Sequence, residues 1–222
     1  MNRGKLIVIE GNDGSGKATQ VKLLYEFLQK RKILVKAIDF PRYNDSFFGK
    51  FIARFLQGEF GKLEEINPYL ISVVYAEDRR EAKDEIAKWL SEGAIVIANR
   101  YVPSNLAHQS GRLPKDKRAA FIKWDTELEY TINKLPKEDL TIYLHVPFAV
   151  SQKLLGSKSK KKDMVEKDAV YLQNSEEAYN SLAKHFSHWE TIECVDKTEE
   201  LRSIEAIHDD IKKLLAKKRI VQ

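Results

Sequence analysis

The sequence predicts a three-layer, doubly wound αβα domain in which helices cover both faces of a five-stranded parallel sheet. Three observations carry this. Short apolar runs such as Leu6–Ile9, Ala94–Ala98 and Leu140–Val146 alternate with longer stretches whose apolar residues recur at helical spacing. These runs are continuously apolar, which suits strands buried on both faces of a parallel sheet. The first run also meets Gly11-Asn12-Asp13-Gly14-Ser15-Gly16-Lys17 and then, at once, a helical pattern. That is the strand–GxxxxGK–helix arrangement of a phosphate-binding loop.

The elements follow in order. Lys17–Arg31 carries Val21, Leu24, Phe27 and Leu28 on one helical face, and Ile33–Phe40 reads as a strand ending in Phe40-Pro41-Arg42-Tyr43. Ser46 is placed to cap a helix through Leu56 with Phe47, Phe51 and Phe55 as a core stripe. After a connector at Gly58–Asn67, Pro68 suits the first turn of one long helix to about Ser91, with Leu70, Val73, Val74, Ala82, Ile86, Trp89 and Leu90 as its apolar side. Ala94–Ala98 is a strand ending in Asn99-Arg100-Tyr101, and helical segments run from there to Lys134. Leu140–Val146 is the next strand, followed by a helix from about Phe148 into a polar, basic segment, Gly156–Asp163. A helix with Ala169, Leu172, Tyr179, Leu182 and Phe186, the strand Trp189–Val195 and a last helix complete the fold. Thr198 is the expected cap of that helix, with Leu201, Ile204, Ile207, Ile211, Leu214 and Leu215 inward.

A chain of 222 residues fits a single domain, 1–222, with a sizeable core. The net charge of +5 is small enough to suit an anionic small molecule as well as nucleic acid. One cysteine, Cys194, excludes an internal disulfide and a cysteine-based metal site, and in its apolar setting reads as an inert strand residue. No apolar run approaches the length of a membrane span, so the reading is cytoplasmic, with no membrane partner.

In a doubly wound sheet, ligands bind beyond the carboxyl ends of the strands. Three motifs fall there: the glycine loop, Phe40–Tyr43 and Asn99–Tyr101. Glycines let main-chain N–H groups approach phosphate oxygens, the helix dipole lies beneath them, and Lys17 adds a full charge. Arg42, Arg79 and Arg100 are expected to converge opposite, since guanidinium forks suit a phosphate monoester, with Phe40 and Tyr75 placed to stack on a base.

Taken together, these motifs resemble the thymidylate kinases, enzymes of the P-loop nucleoside-monophosphate kinase group. The resemblance spans Lys5 to at least Phe186. It rests on the GxDGxGK loop with Asp13, Phe40-Pro41-Arg42-Tyr43, Tyr75-x-x-x-Arg79, the RYxxSN run Arg100–Asn105, Leu135–Asp139 and Asp163-x-x-Glu166. It implies a P-loop NTPase fold with a lid at about 156–168, transfer of a phosphoryl group from ATP to dTMP with Mg²⁺, and a homodimer. A nucleic-acid-binding module, supported only by the lysines of the basic segment and the last helix, ranks last because they lack interleaved aromatics, so no nucleic-acid partner is expected.

The resemblance also implies the roles. The amides of Gly11, Asn12, Asp13, Gly14, Ser15 and Gly16, with Lys17, Ala18 and Thr19, would hold ATP. Arg79 and Arg100 would grip dTMP, Phe40 would stack on thymine, and Asn105 and Gln109 would line its polar edge. Arg42, Tyr43, Tyr75, Tyr101 and His108 complete the acceptor site, Asp13 and Glu166 would hold the metal, and Lys158, Lys160, Lys161 and Lys162 are the lid cations. The catalytic set is Lys17, Arg100 and Asp13.

Two residues depart from the family pattern: Ala18 lacks the hydroxyl that holds Mg²⁺, and Asn99 stands where the family has an acid. They motivate a second reading, a nucleotide-binding protein that has lost turnover. His108 motivates a third, a kinase for dUMP or another pyrimidine monophosphate.

Overall fold

The computed structural model of the chain describes residues 3–156, 163–166 and 168–221. Among these, β1 (Lys5–Glu10), β2 (Val35–Asp39), β3 (Ile95–Asn99), β4 (Leu140–His145) and β5 (Trp189–Glu193) form one sheet in the order β2-β3-β1-β4-β5. Every pairing is parallel. The apolar runs of β1, β3 and β4 become strands because both of their faces are covered, whereas the edge strands β2 and β5 are partly exposed.

Helices α1 (Lys17–Lys30) and α9 (Ile204–Lys217) pack one face through Val21, Leu24, Leu28, Ile207, Ile211 and Leu215, against Ile7, Ile9 and Ile142. On the other face lie α4 (Lys83–Ser91), α5 (Val102–Gly111) and α8 (Ala169–His185), placing Ile86, Leu90, Leu106, Tyr179 and Leu182 against Leu6, Val8 and Val96. The helix leaving β1 thus covers the face opposite to the helix leaving β3, which opens a crevice beyond the carboxyl ends of the two neighbouring strands. A smaller cluster, Phe55, Leu63, Ile71, Tyr171 and Leu172, joins α8 to α2 (Phe47–Leu56) and α3 (Pro68–Glu81). The remaining helices are α6 (Lys115–Thr126) and α7 (Phe148–Gly156).

Four expectations need correction. The long helix from Pro68 is two helices, interrupted at Ala82, because α3 lies against α2 and α5 whereas α4 lies against β3. On α3 the buried positions are Ile71, Ser72, Ala76, Asp78 and Arg79, while Leu70 is 70% exposed and Val73 38%. The aromatic stripe of α2 is split in the same way: Phe55 is buried, Phe51 stacks on Phe60 at 4.4 Å, and Phe47 is 72% exposed. Finally, Ser203 caps α9 by accepting from the Ala206 N–H, since Asp196 takes the N–H and hydroxyl of Thr198 in a tight turn. Leu201 and Ile204 are exposed as a result.

Other expectations hold. Ser46 caps α2, accepting from the Gly49 N–H at 2.7 Å, and Pro68 opens α3 behind the Asn67 cap. Cys194 is buried, and burial pushes its thiol up to about 12, so it stays protonated and unreactive.

His145, at the end of β4, joins three elements. Its Nδ1 lies 2.6 Å from Glu193 of β5 and its Nε2 3.0 Å from Glu176 of α8. The Glu176 hydrogen bond is the largest influence on its pKa; burial opposes it, and Glu193 adds to it, leaving the imidazole above its ordinary value of 6.5. A raised folded-state value stabilises the fold fully below the unfolded pKa, and the stabilisation fades as pH rises through the folded one. His145→Gln is therefore expected to cost about 1 kcal/mol more at pH 6 than at pH 9, measured by urea denaturation at the two pH values.

Candidate functional site

The glycine loop is shaped by close approach. Gly11 has φ +147, and a Cβ there would fall 2.6 Å from both the Leu144 carbonyl and the Ser15 hydroxyl. Gly16, at φ 84, turns the chain into α1 as its N-cap, with no side-chain cap and no acid in the first turn. The first N–H groups of α1 therefore keep their positive character for an anion. Lys17 lies back across the loop, its Nζ donating to the carbonyls of Gly11 and Asn12 at 2.8 Å each. Ala18 and Thr19 are exposed on the first turn of α1.

Beside the loop, Arg100 leaves β3 in the left-handed region at φ 64, its N–H bonded to Ile9 at 3.0 Å. That turn aims the guanidinium at the loop, where Nη2 meets Asp13 at 2.5 Å, and Lys17 lies 3.8 Å from the same carboxylate. Burial disfavours the Asp13 charge, but Arg100 and then Lys17 outweigh it and hold the carboxyl well below the usual range. Nη1 of Arg100 reaches Ser104 at 3.1 Å and His108 Nε2 at 2.9 Å. Burial, followed by the charge of Arg100, lowers His108 to about 3, so its imidazole is neutral at pH 7. Nε2 accepts from Arg100, and Nδ1–H donates to Ser175 at 3.2 Å.

These side chains form one end of a cavity of about 230 Å³ at the carboxyl edge of the sheet. Phe40, Tyr43 and Tyr75 line it with Arg79, Arg100, Asn105, His108 and Gln109; Asp13 and Glu166 also face it. The chain thus gathers almost all of the expected acceptor residues in one place. Arg79 is 2% exposed and locked in an ion pair with Glu129.

Two expected residues stand elsewhere. Tyr101 is fully buried behind the wall, packed on Phe40 at 5.7 Å between ring centres, with its hydroxyl donating to Pro136. It supports the ring that faces the cavity. Arg42 is not part of the lining: its N–H donates to Asp78, the side chain that also bonds Ser46, and its Nη1 is buried without a partner among the described residues. Lys158, Lys160, Lys161 and Lys162 lie outside the described residues.

Several supporting residues escaped the sequence reading. Glu10, fully buried at the end of β1, accepts from the Tyr101 N–H at 2.9 Å, Ser104 at 2.7 Å and Tyr179 at 2.8 Å. A charged residue closing an apolar strand just before the loop was the available signal. Tyr171 stacks on His108 at 5.7 Å, and Glu129 pairs with Arg79 from 50 residues away. Nothing local in the sequence announces either. Asp163 and Glu166 bond each other's backbone N–H groups in a tight turn at the cavity rim.

Among the described residues no group of three or more His, Cys, Asp and Glu side chains is arranged to hold a metal ion. No helix of the described residues is long and apolar enough to cross a membrane.

A sequence model of the thymidylate kinase family matches residues 9–211 of the chain. The thymidylate kinase of Plasmodium falciparum is 32% identical over 218 residues, covering 98% of this chain and 92% of that protein. The Mycobacterium tuberculosis thymidylate kinase is 33% identical over 187 residues, 80% and 85% of the two chains. Among solved structures, the thymidylate kinase of Candida albicans superposes with a TM-score of 0.76 at 19% identity, over 98% of this chain and 93% of that one, a likeness of fold.

Because Arg100 offers a planar fork that an ammonium lacks, Arg100→Lys is expected to weaken binding of a phosphate monoester ligand by about 10- to 100-fold, read by calorimetric titration.

Proposed function

The chain belongs to the thymidylate kinase family, and from that premise we propose how its residues transfer the terminal phosphoryl group of ATP to dTMP, giving ADP and dTDP. The donor phosphates lie on the amides of Gly11–Gly16 at the N-terminus of α1, with Lys17 beside them and Thr19 toward the α-phosphate. The acceptor occupies the neighbouring cavity, its base against Phe40 and Tyr75, its polar edge toward Arg79, Asn105 and Gln109, and its phosphate toward Arg100. The observation that carries this is the 2.5 Å contact between Asp13 of the loop and Arg100 of the cavity wall, which makes the two sites neighbours.

The chemistry asks little covalent work of the protein. An acceptor phosphate oxygen forms a bond to the γ-phosphorus as the bond to the β–γ bridging oxygen breaks, and ADP departs with those electrons. The acceptor is already an anion, so no general base is needed. What the chain supplies is alignment and neutralisation: main-chain dipoles and Lys17 on one side, Arg100 on the other. Arg100 arrives aligned, since Asp13, Ser104 and His108 hold its guanidinium before any ligand enters. The lid lysines Lys158, Lys160, Lys161 and Lys162 belong to the same reading as further charge near the transferring group.

The oxygen donors at the loop suit Mg²⁺, which takes one or two carboxylates and fills its shell with phosphate oxygens and water. Asp13 is held ionised, and the buried Asn99 Oδ1 and Ser15 hydroxyl oxygen have no hydrogen-bond partner among the described residues. Asp13 and Glu166 would hold the ion, with the Asn99 amide oxygen in support, and the ion would spread the charge of the phosphates. The reading also takes the protein as a cytoplasmic homodimer, to which Phe47, Leu70 and Val73 give an exposed apolar face on α2 and α3. It has no nucleic-acid partner.

An acceptor panel of dTMP, dUMP, UMP, CMP and dGMP with ATP and Mg²⁺, followed by coupled ADP release, tests the function. The expected result is fastest turnover with dTMP and none without acceptor. Tight dTMP binding with no ADP release would sink it in favour of an inactive binder. Because a neutral amide stands at position 99, wild-type turnover should need more than low micromolar Mg²⁺. Asn99→Asp is expected to lower the half-saturating Mg²⁺ concentration several-fold, read by titrating metal against turnover.

A further inference from the structure

One side of the cavity is a turn held in place by a carboxylate that lies outside the lining. Phe40, Pro41 and Tyr43 reach the cavity from the turn that follows β2. The Phe40 N–H still bonds the sheet, donating to the Asn99 carbonyl at 3.0 Å. Two residues on, the anchor is a side chain: the Arg42 N–H donates to Asp78 Oδ2 at 2.9 Å, across 36 residues of sequence. Asp78 is 1% exposed on α3, and its Oδ1 accepts from the Ser46 hydroxyl. Ser46 in turn accepts from the Gly49 N–H at 2.7 Å to cap α2, and its own N–H donates back to the Arg42 carbonyl at 3.2 Å. One carboxylate thus joins the turn, the start of α2 and the middle of α3.

The packing around this junction is tight. A Cβ at Gly49 would fall 2.6 Å from the Ser46 hydroxyl and closer still to the Arg42 carbonyl, so α2 abuts the turn through a position only glycine can fill. Asp78 is also the immediate neighbour of Arg79, and successive helical residues point about 100° apart. The same turn of α3 therefore presents Arg79 to the cavity and Asp78 to the segment that carries Phe40, Pro41 and Tyr43. A turn without that anchor would have to be ordered at each binding event, at an entropic cost to affinity.

We propose that Asp78 is a positioning residue for the acceptor: it holds the Phe40–Tyr43 turn at a fixed distance from Arg79, so that the acceptor enters a preformed slot. The inference rests on the acceptor reading above and deepens it, since part of the acceptor affinity then comes from a side chain outside the cavity lining. A carboxylate that served folding alone would, on removal, lower the melting temperature and leave the ratio of the two substrates' KM values as it was.

Asp78→Ala, Asp78→Glu and Asp78→Asn are compared with wild type by steady-state kinetics in dTMP and in ATP, with thermal melting as the control for folding. Asp78→Ala leaves the Arg42 N–H and the Ser46 hydroxyl without their acceptor and should raise KM for dTMP about 10-fold, with KM for ATP within about 2-fold and kcat within about 3-fold. Asp78→Glu keeps the acid but lengthens its arm by one methylene, which displaces the turn and should raise KM for dTMP about 5-fold with the same split. Asp78→Asn keeps an acceptor oxygen for the Arg42 N–H and should return KM for dTMP to within about 3-fold of wild type. If Asp78→Ala is not recovered folded, Asp78→Glu decides by the same split. An unchanged dTMP KM, equal rises in both KM values, an Asp78→Asn no better than the other two, or failure to recover any of the three folded would overturn the proposal. A wild-type enzyme inactive on dTMP would instead defeat the underlying function, and the two failures are distinct.

Discussion

The Asp13–Arg100 ion pair is the constraint on which the rest of the site depends, and the backbone sets it up. Ile9 and Asn99 are paired in the parallel register, so β1 and β3 end side by side. One residue further on, Arg100 takes a left-handed turn and bonds back to Ile9, while four residues past Ile9 the loop presents Asp13. A shift of one residue in that register would send Arg100 to the other face of the sheet. The pair therefore reports the alignment of the two strands as much as any attraction between charges. Its function follows from its place: the same guanidinium that completes the loop's electrostatics also closes the end of the cavity.

Glu10 explains why this alignment is rigid. An isolated carboxylate with no exposed surface would be costly to bury. Here three donors from three places meet it: the Tyr101 N–H just beyond β3, the Ser104 hydroxyl on α5 and the Tyr179 hydroxyl on α8. Arg100, 4.0 Å away, adds charge of the right sign. Removing any one donor leaves the others and the carboxylate under-satisfied, so the group holds α5 and α8 in fixed relation to the end of β1. Those two helices carry His108, Asn105 and Tyr171, which means that cavity shape and loop position are tied through one buried charge.

Much of this was legible in the sequence. The strand runs, the loop and the order of the motifs were readable because strand burial and glycine spacing are local properties of the chain. The Asn99-Arg100-Tyr101 and Tyr75-x-x-x-Arg79 motifs fixed where the cavity would form. What escaped was non-local. The break at Ala82 follows from α3 and α4 packing on different partners, and helical periodicity runs through it without a signal. The apolar face of α3 was read through Leu70 and Val73, yet the structure buries Asp78 and Arg79, since each has a partner waiting: Ser46 for one, Glu129 for the other. Buried charge inverts the apolar-inward rule wherever a counter-charge or a hydrogen-bond donor arrives from a distant segment. Arg42 is the converse case, a motif residue whose backbone N–H is engaged by Asp78 while its Nη1 has no partner among the described residues.

The two departures from the family pattern have a common electrostatic sense. An acid at position 99 would be a third carboxylate near the carboxyl ends of β1 and β3, beside Glu10 and Asp13, with Arg100 and Lys17 as the nearby cations. Each added negative charge would raise the cost of ionising Asp13 and draw Arg100 away from an incoming phosphate. With asparagine there, Asp13 stays ionised beside Arg100 and Lys17, and the Asn99 oxygen, without a hydrogen-bond partner among the described residues, still offers a neutral ligand. Ala18 acts in the same direction, since it removes one more oxygen donor from the loop without adding charge. Under the proposed function, the site would hold phosphates more through fixed cations and main-chain dipoles than through a tightly bound ion. Fixed cations need no dissociable partner, so in the proposed reaction Arg100, Lys17 and the N-terminus of α1 are the groups that would align the two nucleotides.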